Sequence, residues 1–326
     1  MKLFKKLTLS LILIGTLLFS TACSTVPLNV SGYYWFKDKS LAGFVIGFEE
    51  VSVYDISFVN VTPSNTDKVE NANLTYENVN GSYVTTLKTT NDSNGVQYYE
   101  YVTEYTFSAD EVITDGTNVT KNPFTDTFTT KTLFNKDLFP ISSHKEYNSQ
   151  STEYSCVYDI TYDKDKNSAT CVLTEFPNDA ENKKVTNLSF NKISDGAFID
   201  NDILLLAGRV FDISSDFSRQ FKTIDVLSNK NHNMVFYPTV SDEKLDVKKI
   251  EAANGYTING KADDADFYVA HVNLKINDTF SGYPVECYYA TAHDIHRHRL
   301  IECYIKLYYD IGFIKYKLKS VTVKND

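Results

Sequence analysis

The densest chemistry in the chain lies in one run, His293-Asp294-Ile295-His296-Arg297-His298-Arg299, which holds three of the six histidines. On a strand, His296 and His298 point the same way and His293 can reach them across a turn. Three imidazoles converging in this way suit a zinc ion, although the spacing does not name the metal. The same residues, with Arg297 and Arg299, equally make a cationic grip for a phosphate or carboxylate that strengthens as the histidines protonate below about pH 6.5. A third reading is an exposed polar turn without a ligand. The other histidines, His144, His232 and His271, are isolated and read as structural.

Beyond Cys23 there are four cysteines, Cys156, Cys171, Cys287 and Cys303. Each near pair flanks an expected hairpin, with turns at 163–168 and 293–297. Residue 295, midway between Cys287 and Cys303, falls inside the second turn, so those two can oppose each other. Opposition of Cys156 and Cys171 needs a turn centred on Asp163-Lys164. Two disulfides within hairpins and four packed free thiols both remain open, and no C-x-x-C pair marks a metal or redox site. The chain has no G-x-S-x-G, H-E-x-x-H, P-loop or Gly-rich dinucleotide turn. Carboxylate groups such as Glu49-Glu50 and Asp263-Asp264-Asp266 cannot be assigned acid–base roles from sequence. No cofactor is expected, and binding without chemistry is favoured over catalysis.

The elements that must position these residues are strands. Tyr99, Tyr101, Thr103, Tyr105 and Phe107 alternate with Glu100, Val102, Glu104 and Thr106, the pattern of a strand with one packed and one wet face. Val51, Val53 and Val59 interleave with Tyr54, Ile56 and Phe58, which predicts a strand covered on both sides. Ile301, Cys303 and Ile305 share a face opposite Glu302, Tyr304 and Lys306. Turn signals stand between such runs at Asn80-Gly81, Asn94-Gly95, Asp115-Gly116, Asn254-Gly255 and Asn259-Gly260. One segment differs: Asp200-Asn201-Asp202 offers helix-capping side chains, and Ile203 to Phe211 is apolar almost all round. Such a helix has to be enclosed. The expected fold is mainly β, a large curved antiparallel sheet or half-barrel around one short helix, with two β domains in tandem as the alternative.

The 326 residues carry 42% hydrophobic and 23% charged side chains and a net charge of −10. That composition excludes disorder and a multi-span membrane protein, and the acidic balance opposes nucleic-acid binding.

Lys2, Lys5 and Lys6 precede the apolar run from Leu7 to Phe19, the charge order of a secretory signal and too short for a comfortable membrane span. Ser20-Thr21-Ala22-Cys23-Ser24 follows, and here the chain resembles the signal of bacterial lipoproteins. Ala22 and Cys23 fit that family's lipobox, while Ser20 stands where the family usually has Leu. The resemblance implies lipidation of the Cys23 thiol and a mature chain that begins there. Ser20 and Ala22 also satisfy ordinary signal cleavage, which would leave a secreted protein. The expected organisation is a signal peptide over 1–22, an anchor and tether over 23–40, a β half over 41–199, and a helix with a second β half over 200–326. The protein is expected to be exported and held at the cell membrane or cell surface through Cys23. The architecture looks like the half-barrels of envelope lipoprotein carriers, a likeness of shape alone. Three activities follow as expectations: binding of a ligand or protein partner, carriage of an apolar ligand beside the helix, or metal-dependent catalysis at His293, His296 and His298.

Overall fold

The computed structural model describes residues 47–60, 73–135, 138–163, 165–166, 168–176, 184–191, 198–209, 221–224, 233–239, 247–250, 257–262, 267–276, 284–290, 299–307 and 311–324. Eight strands come first: β1 (Glu49–Val59), β2 (Leu74–Asn91), β3 (Gln97–Asp115), β4 (Asn118–Phe134), β5 (Pro140–Ser149), β6 (Tyr154–Asp163), β7 (Ser168–Phe176) and β8 (Lys184–Asn191). The short β9 (Phe198–Asp200) leads into a 3₁₀ turn (Asn201–Ile203) and the single-turn helix α1 (Leu204–Ala207). Then follow β10 (Phe221–Ile224), β11 (Asn233–Thr239), β12 (Val247–Ile250), β13 (Thr257–Ile258), β14 (Lys261–Ala262), β15 (Phe267–Ile276), β16 (Pro284–Ala290), β17 (Leu300–Lys306) and β18 (Phe313–Lys324).

Strands β1 to β8 form an antiparallel meander, and β15 to β18 form a second one. The two are fused because β1 pairs with β18 from Glu49↔Lys324 to Val59↔Phe313. One continuous sheet results, with β11 and β12 on the far edge of β15.

Local chemistry explains most of this meander. Asp115-Gly116 turns β3 into β4, with Gly116 at φ +60°. Asn259 (φ +50°) and Gly260 (φ +77°) supply the paired left-handed conformations of a two-residue hairpin turn between β13 and β14. Asn94-Gly95 lies in the loop between β2 and β3, where Asp92 Oδ1 accepts from the Asn94 and Val96 amides. Asn80-Gly81, expected as a turn, is instead inside β2, just past a bulge at Glu77–Asn80. Its glycine meets a different need: a Cβ there would lie 2.2 Å from the Thr106 carbonyl oxygen on β3.

The inner face carries Tyr99, Tyr101, Thr103 and Phe107 of β3, buried as the alternation requires, while Glu104 is exposed. Strand β1 departs from expectation. Its inner residues Glu50, Ser52, Tyr54 and Ile56 are buried, but Val51 and Val53 are only half-buried and Asp55 and Ser57 are exposed. The outer side there lacks a covering layer among the described residues, so its valines lie on a partly wet surface. Inner hydroxyls satisfy one another across strands, as in Thr103–Thr130 at 2.7 Å and Thr132–Ser143 at 3.1 Å.

The concave side holds the helical segment. Asp200 caps it, accepting from the Asp202 amide at 2.9 Å. Leu204, Leu205, Leu206 and Ala207 are all buried, and each leucine removed from water contributes about 1.5–3 kcal/mol. The helix is shorter than Ile203 to Phe211, since α1 stops at Ala207 and residues 210–211 lie outside the described residues. Tyr289 of β16 donates to the Leu205 carbonyl at 2.9 Å. At Gly208 a Cβ would lie 2.0 Å from that tyrosine ring, so only glycine allows the approach. The segment reaches β5 and β6 at one end and β1 and β16 at the other, and the sheet therefore curls around it.

Candidate functional site

Two buried ion networks fix the ends of the helical segment. At the entry, Lys145 of β5 donates to Asp200 Oδ1 at 2.8 Å and Asn201 Oδ1 at 2.6 Å, and its Nζ lies 2.8 Å from Asp202 Oδ2. Ser143 and Tyr162 both donate to Asp200 Oδ2. Burial alone would lower the Lys145 pKa and raise that of Asp200. The facing carboxylates instead hold the ammonium well above its ordinary value, and Lys145 with its neighbours holds Asp200 below the carboxylate range. At the exit, Arg209 donates from Nη1 to Glu50 Oε1 at 2.6 Å, and Arg299 donates from Nη2 to Glu50 Oε2 at 2.6 Å. Burial pushes Glu50 up, but the two guanidinium groups outweigh it and hold the carboxyl at about 2. These networks bind strands to helix and leave α1 packed on the concave face.

Arg299 is thus 1% exposed and committed to Glu50. Its position does not suit the open cationic grip expected of it, because both its face and its charge are taken up inside the sheet. Its carbonyl accepts from the Ala290 amide at 2.9 Å where β16 and β17 meet. His293, His296, Arg297 and His298 lie outside the described residues, as do Cys23, His232 and the tether 23–40. Among the described residues no group of three or more His, Cys, Asp or Glu is placed to hold a metal ion.

The four cysteines at 156, 171, 287 and 303 are buried free thiols. Cys287 opposes Cys303 across β16 and β17, as the midpoint arithmetic requires, with sulfurs 3.7 Å apart. For the other pair the hairpin register decides otherwise. Cys171 opposes Ile160 and Cys156 opposes Glu175, an offset of four residues, or about 13 Å of strand. A bond there would need Cα atoms within about 7 Å. Burial raises the thiol pKa of Cys156, of Cys171 to about 11, and of Cys303 well above its ordinary value. We expect none of these four thiols to react with iodoacetamide in the native protein at pH 7, and all four to react after denaturation. Intact-mass spectrometry reads both results, and native labelling of any one would contradict its burial.

Around the cysteine pair, Glu286-Cys287-Tyr288 and Glu302-Cys303-Tyr304 are two copies of one triplet. Antiparallel pairing sets Glu286 against Tyr304 and Tyr288 against Glu302, a local two-fold through the cysteines. The carboxylates and phenols share the outer face, where Tyr288 donates to Glu286 at 3.2 Å and Tyr304 to Glu302 at 2.7 Å. Lys315 pairs with Glu302 at 2.9 Å, and His271, stacked on Tyr288, lies 3.3 Å from Glu286. His271 therefore belongs to a charged cluster and is not isolated. The repeated triplet was the sequence signal for it.

Among the described residues a cleft open to a ligand lies elsewhere on the outer face. This cleft of ≈ 500 Å³ runs over β3 to β6 and the end of β2, lined among others by Asp92, Tyr98, Glu100, Lys131, His144 and Asp159. The register builds it: His144 lies directly opposite both Lys131 and Asp159. His144 Nδ1 is 2.7 Å from Asp159 Oδ1, and Nε2 is 2.9 Å from Glu146 Oε1. Hydrogen bonds first to Glu146 and then to Asp159 raise the imidazole pKa above its ordinary value. Lys131 and Glu100 close a second pair at 2.7 Å. Nothing in the isolated His144 of the sequence marked this site, because its partners come from other strands.

Among the described residues no helix is long and apolar enough to cross a membrane. No protein-family model matches the chain, and none of the curated proteins matches it. Among solved structures it is similar to the β-barrel-like protein of the domain of unknown function DUF1849 from Brucella abortus, with 10% sequence identity and a TM-score of 0.47, over 86% of this chain and 100% of that one.

Proposed function

We propose that the protein is an exported, lipid-anchored binding protein, tethered through Cys23, whose β body takes a ligand in the outer cleft without carrying out chemistry. The cleft over β3 to β6 carries this reading. Its ≈ 500 Å³ is the size of a small-molecule site, and its lining mixes acceptors, donors and a half-buried tyrosine. The concave face, where an apolar cargo would lie, is taken up by Leu204 to Ala207 and the ion networks at its ends. That packing favours the outer face over a carrier role. The lipoprotein-like segment ending at Cys23 supports export and the tether. A net charge that falls to about −13 once three signal lysines leave gives the body no attraction of its own for an anionic membrane.

Fractionation of cells that express the full chain tests the tether. The wild type is expected in the membrane fraction, and Cys23→Ala in the soluble or released fraction. A Cys23→Ala variant found entirely with the membrane overturns the lipid anchor.

A further inference from the structure

The chemistry of the cleft narrows its ligand, and resting on the cleft reading above, we propose that it binds a saccharide, neutral or amino-substituted. Three carboxylates line it, Asp92, Glu100 and Asp159, against the two cationic groups Lys131 and His144. Both cations are already engaged, Lys131 with Glu100 at 2.7 Å and His144 with Asp159 at 2.7 Å and Glu146 at 2.9 Å. A phosphate or carboxylate ligand would meet like charge with no uncommitted cation to receive it, in a protein whose overall field is already negative. The charge balance therefore disfavours anions and nucleic acid as ligands of this cleft.

The carboxylates also share a pattern. Each uses one oxygen within the protein: Asp92 Oδ1 takes the Asn94 and Val96 amides, Glu100 Oε2 takes Lys131, and Asp159 Oδ1 takes His144. The second oxygen of each is the acceptor presented to a ligand, and hydroxyl groups are the donors that suit several such acceptors in a row. Ser142, Thr90 and Thr161 add hydroxyls that donate and accept, and Tyr98 adds a ring on which the apolar face of a sugar can lie. The ion pairs hold Glu100 and Asp159 in place before a ligand arrives, which limits the side-chain ordering that binding must impose. A flat apolar or purely aliphatic molecule would leave these acceptors without donors.

Fluorescently labelled full-length protein in detergent, applied to an array of neutral, amino and uronic-acid oligosaccharides, tests the proposal, with isothermal titration on the strongest hit. The expected result is binding of neutral or amino oligosaccharides and none of the uronic-acid series. Glu100→Gln and Asp159→Asn should each weaken that binding at least tenfold while leaving the thermal unfolding midpoint within a few degrees, since both side chains lie on the outer face. Binding confined to acidic sugars, or binding that neither substitution weakens, overturns the assignment. So does a blank array at millimolar ligand. Native mass spectrometry of the wild type and the two variants then separates the two levels of failure. A co-purifying non-saccharide that Glu100→Gln removes means that the ligand class is wrong and the cleft is right, whereas one retained by both variants means that the cleft itself is not the site.

Discussion

Replacing Glu50 by Gln is expected to cost the fold about 3–5 kcal/mol, read as the loss of unfolding free energy in urea at pH 7. The carboxylate is 3% exposed and is the shared anion for Arg209 and Arg299, which are 6% and 1% exposed. Taking it away removes from a dehydrated interior the anion that both guanidinium groups share, a far larger effect than the loss of a surface pair. The same site sets an acid limit. The Glu50 carboxyl lies at about 2 in the fold against an ordinary 4.5, so its folded pKa is depressed. Its contribution is fully present above about pH 4.5 and is lost as the pH falls from there toward 2. The difference corresponds to ~3 kcal/mol. Wild type should therefore lose stability steeply over that window, and Glu50→Gln should lose much less of it. A variant that unfolds within 1 kcal/mol of wild type, with an unchanged acid profile, would show that the triad does not form.

Lys145→Met carries the second large effect, with a response to acid that has a different cause and begins at higher pH. The ammonium is fully buried and faces Asp200 Oδ1 and Asp202 Oδ2, each at 2.8 Å. Without it two carboxylates stand in the interior at neutral pH, and a loss of about 3–5 kcal/mol follows. Asp200, held below its ordinary value by Lys145 with help from Ser143 and Tyr162 in the wild type, then keeps only those hydroxyls and the Asp202 amide against its burial, and with the ammonium gone its folded pKa is expected to move above the unfolded one. A group shifted in that direction stabilises the fold only when protonated. The deficit of Lys145→Met should thus shrink as the pH falls through that raised value, while the deficit of Glu50→Gln shrinks for the other reason, because the wild type loses its own advantage. Urea titrations at pH 7 and pH 5 distinguish the two, and a Lys145→Met deficit that stays constant between them would sink the argument. Asp200 also caps the helical segment, so the variant should loosen the helix before the distant β3–β4 hairpin. Amide exchange reads that order.

What the residues foretold and what they did not divides by distance along the chain. Alternation over Tyr99 to Phe107, the turns at Asp115-Gly116 and Asn259-Gly260, and the cap at Asp200 are all decided by neighbours a few positions away. Asn80-Gly81 carried the same turn signature, yet β3 holds β2 straight through it, because sixteen cross-strand partners outweigh one local preference. The pairing of Cys287 with Cys303 could be computed from a turn midpoint, whereas the offset of Cys156 from Cys171 depended on where the β6–β7 turn lies by a residue or two.

The site followed the same division. Histidine density drew attention to 293–299, but the one described residue of that run, Arg299, is a structural cation. The residues that form the cleft and the buried networks are single charges in unremarkable strands. Sequence by itself determined the strand-rich class and the capped apolar helix, since periodicity and capping are short-range properties. Only the tertiary structure decided that Glu50 meets arginines 159 and 249 residues away, that Lys145 meets an aspartate 55 residues on, and that His144 faces Asp159 over a cleft. Each of those partnerships is a consequence of strand register, which is set by the sum of many weak pairings across the whole sheet.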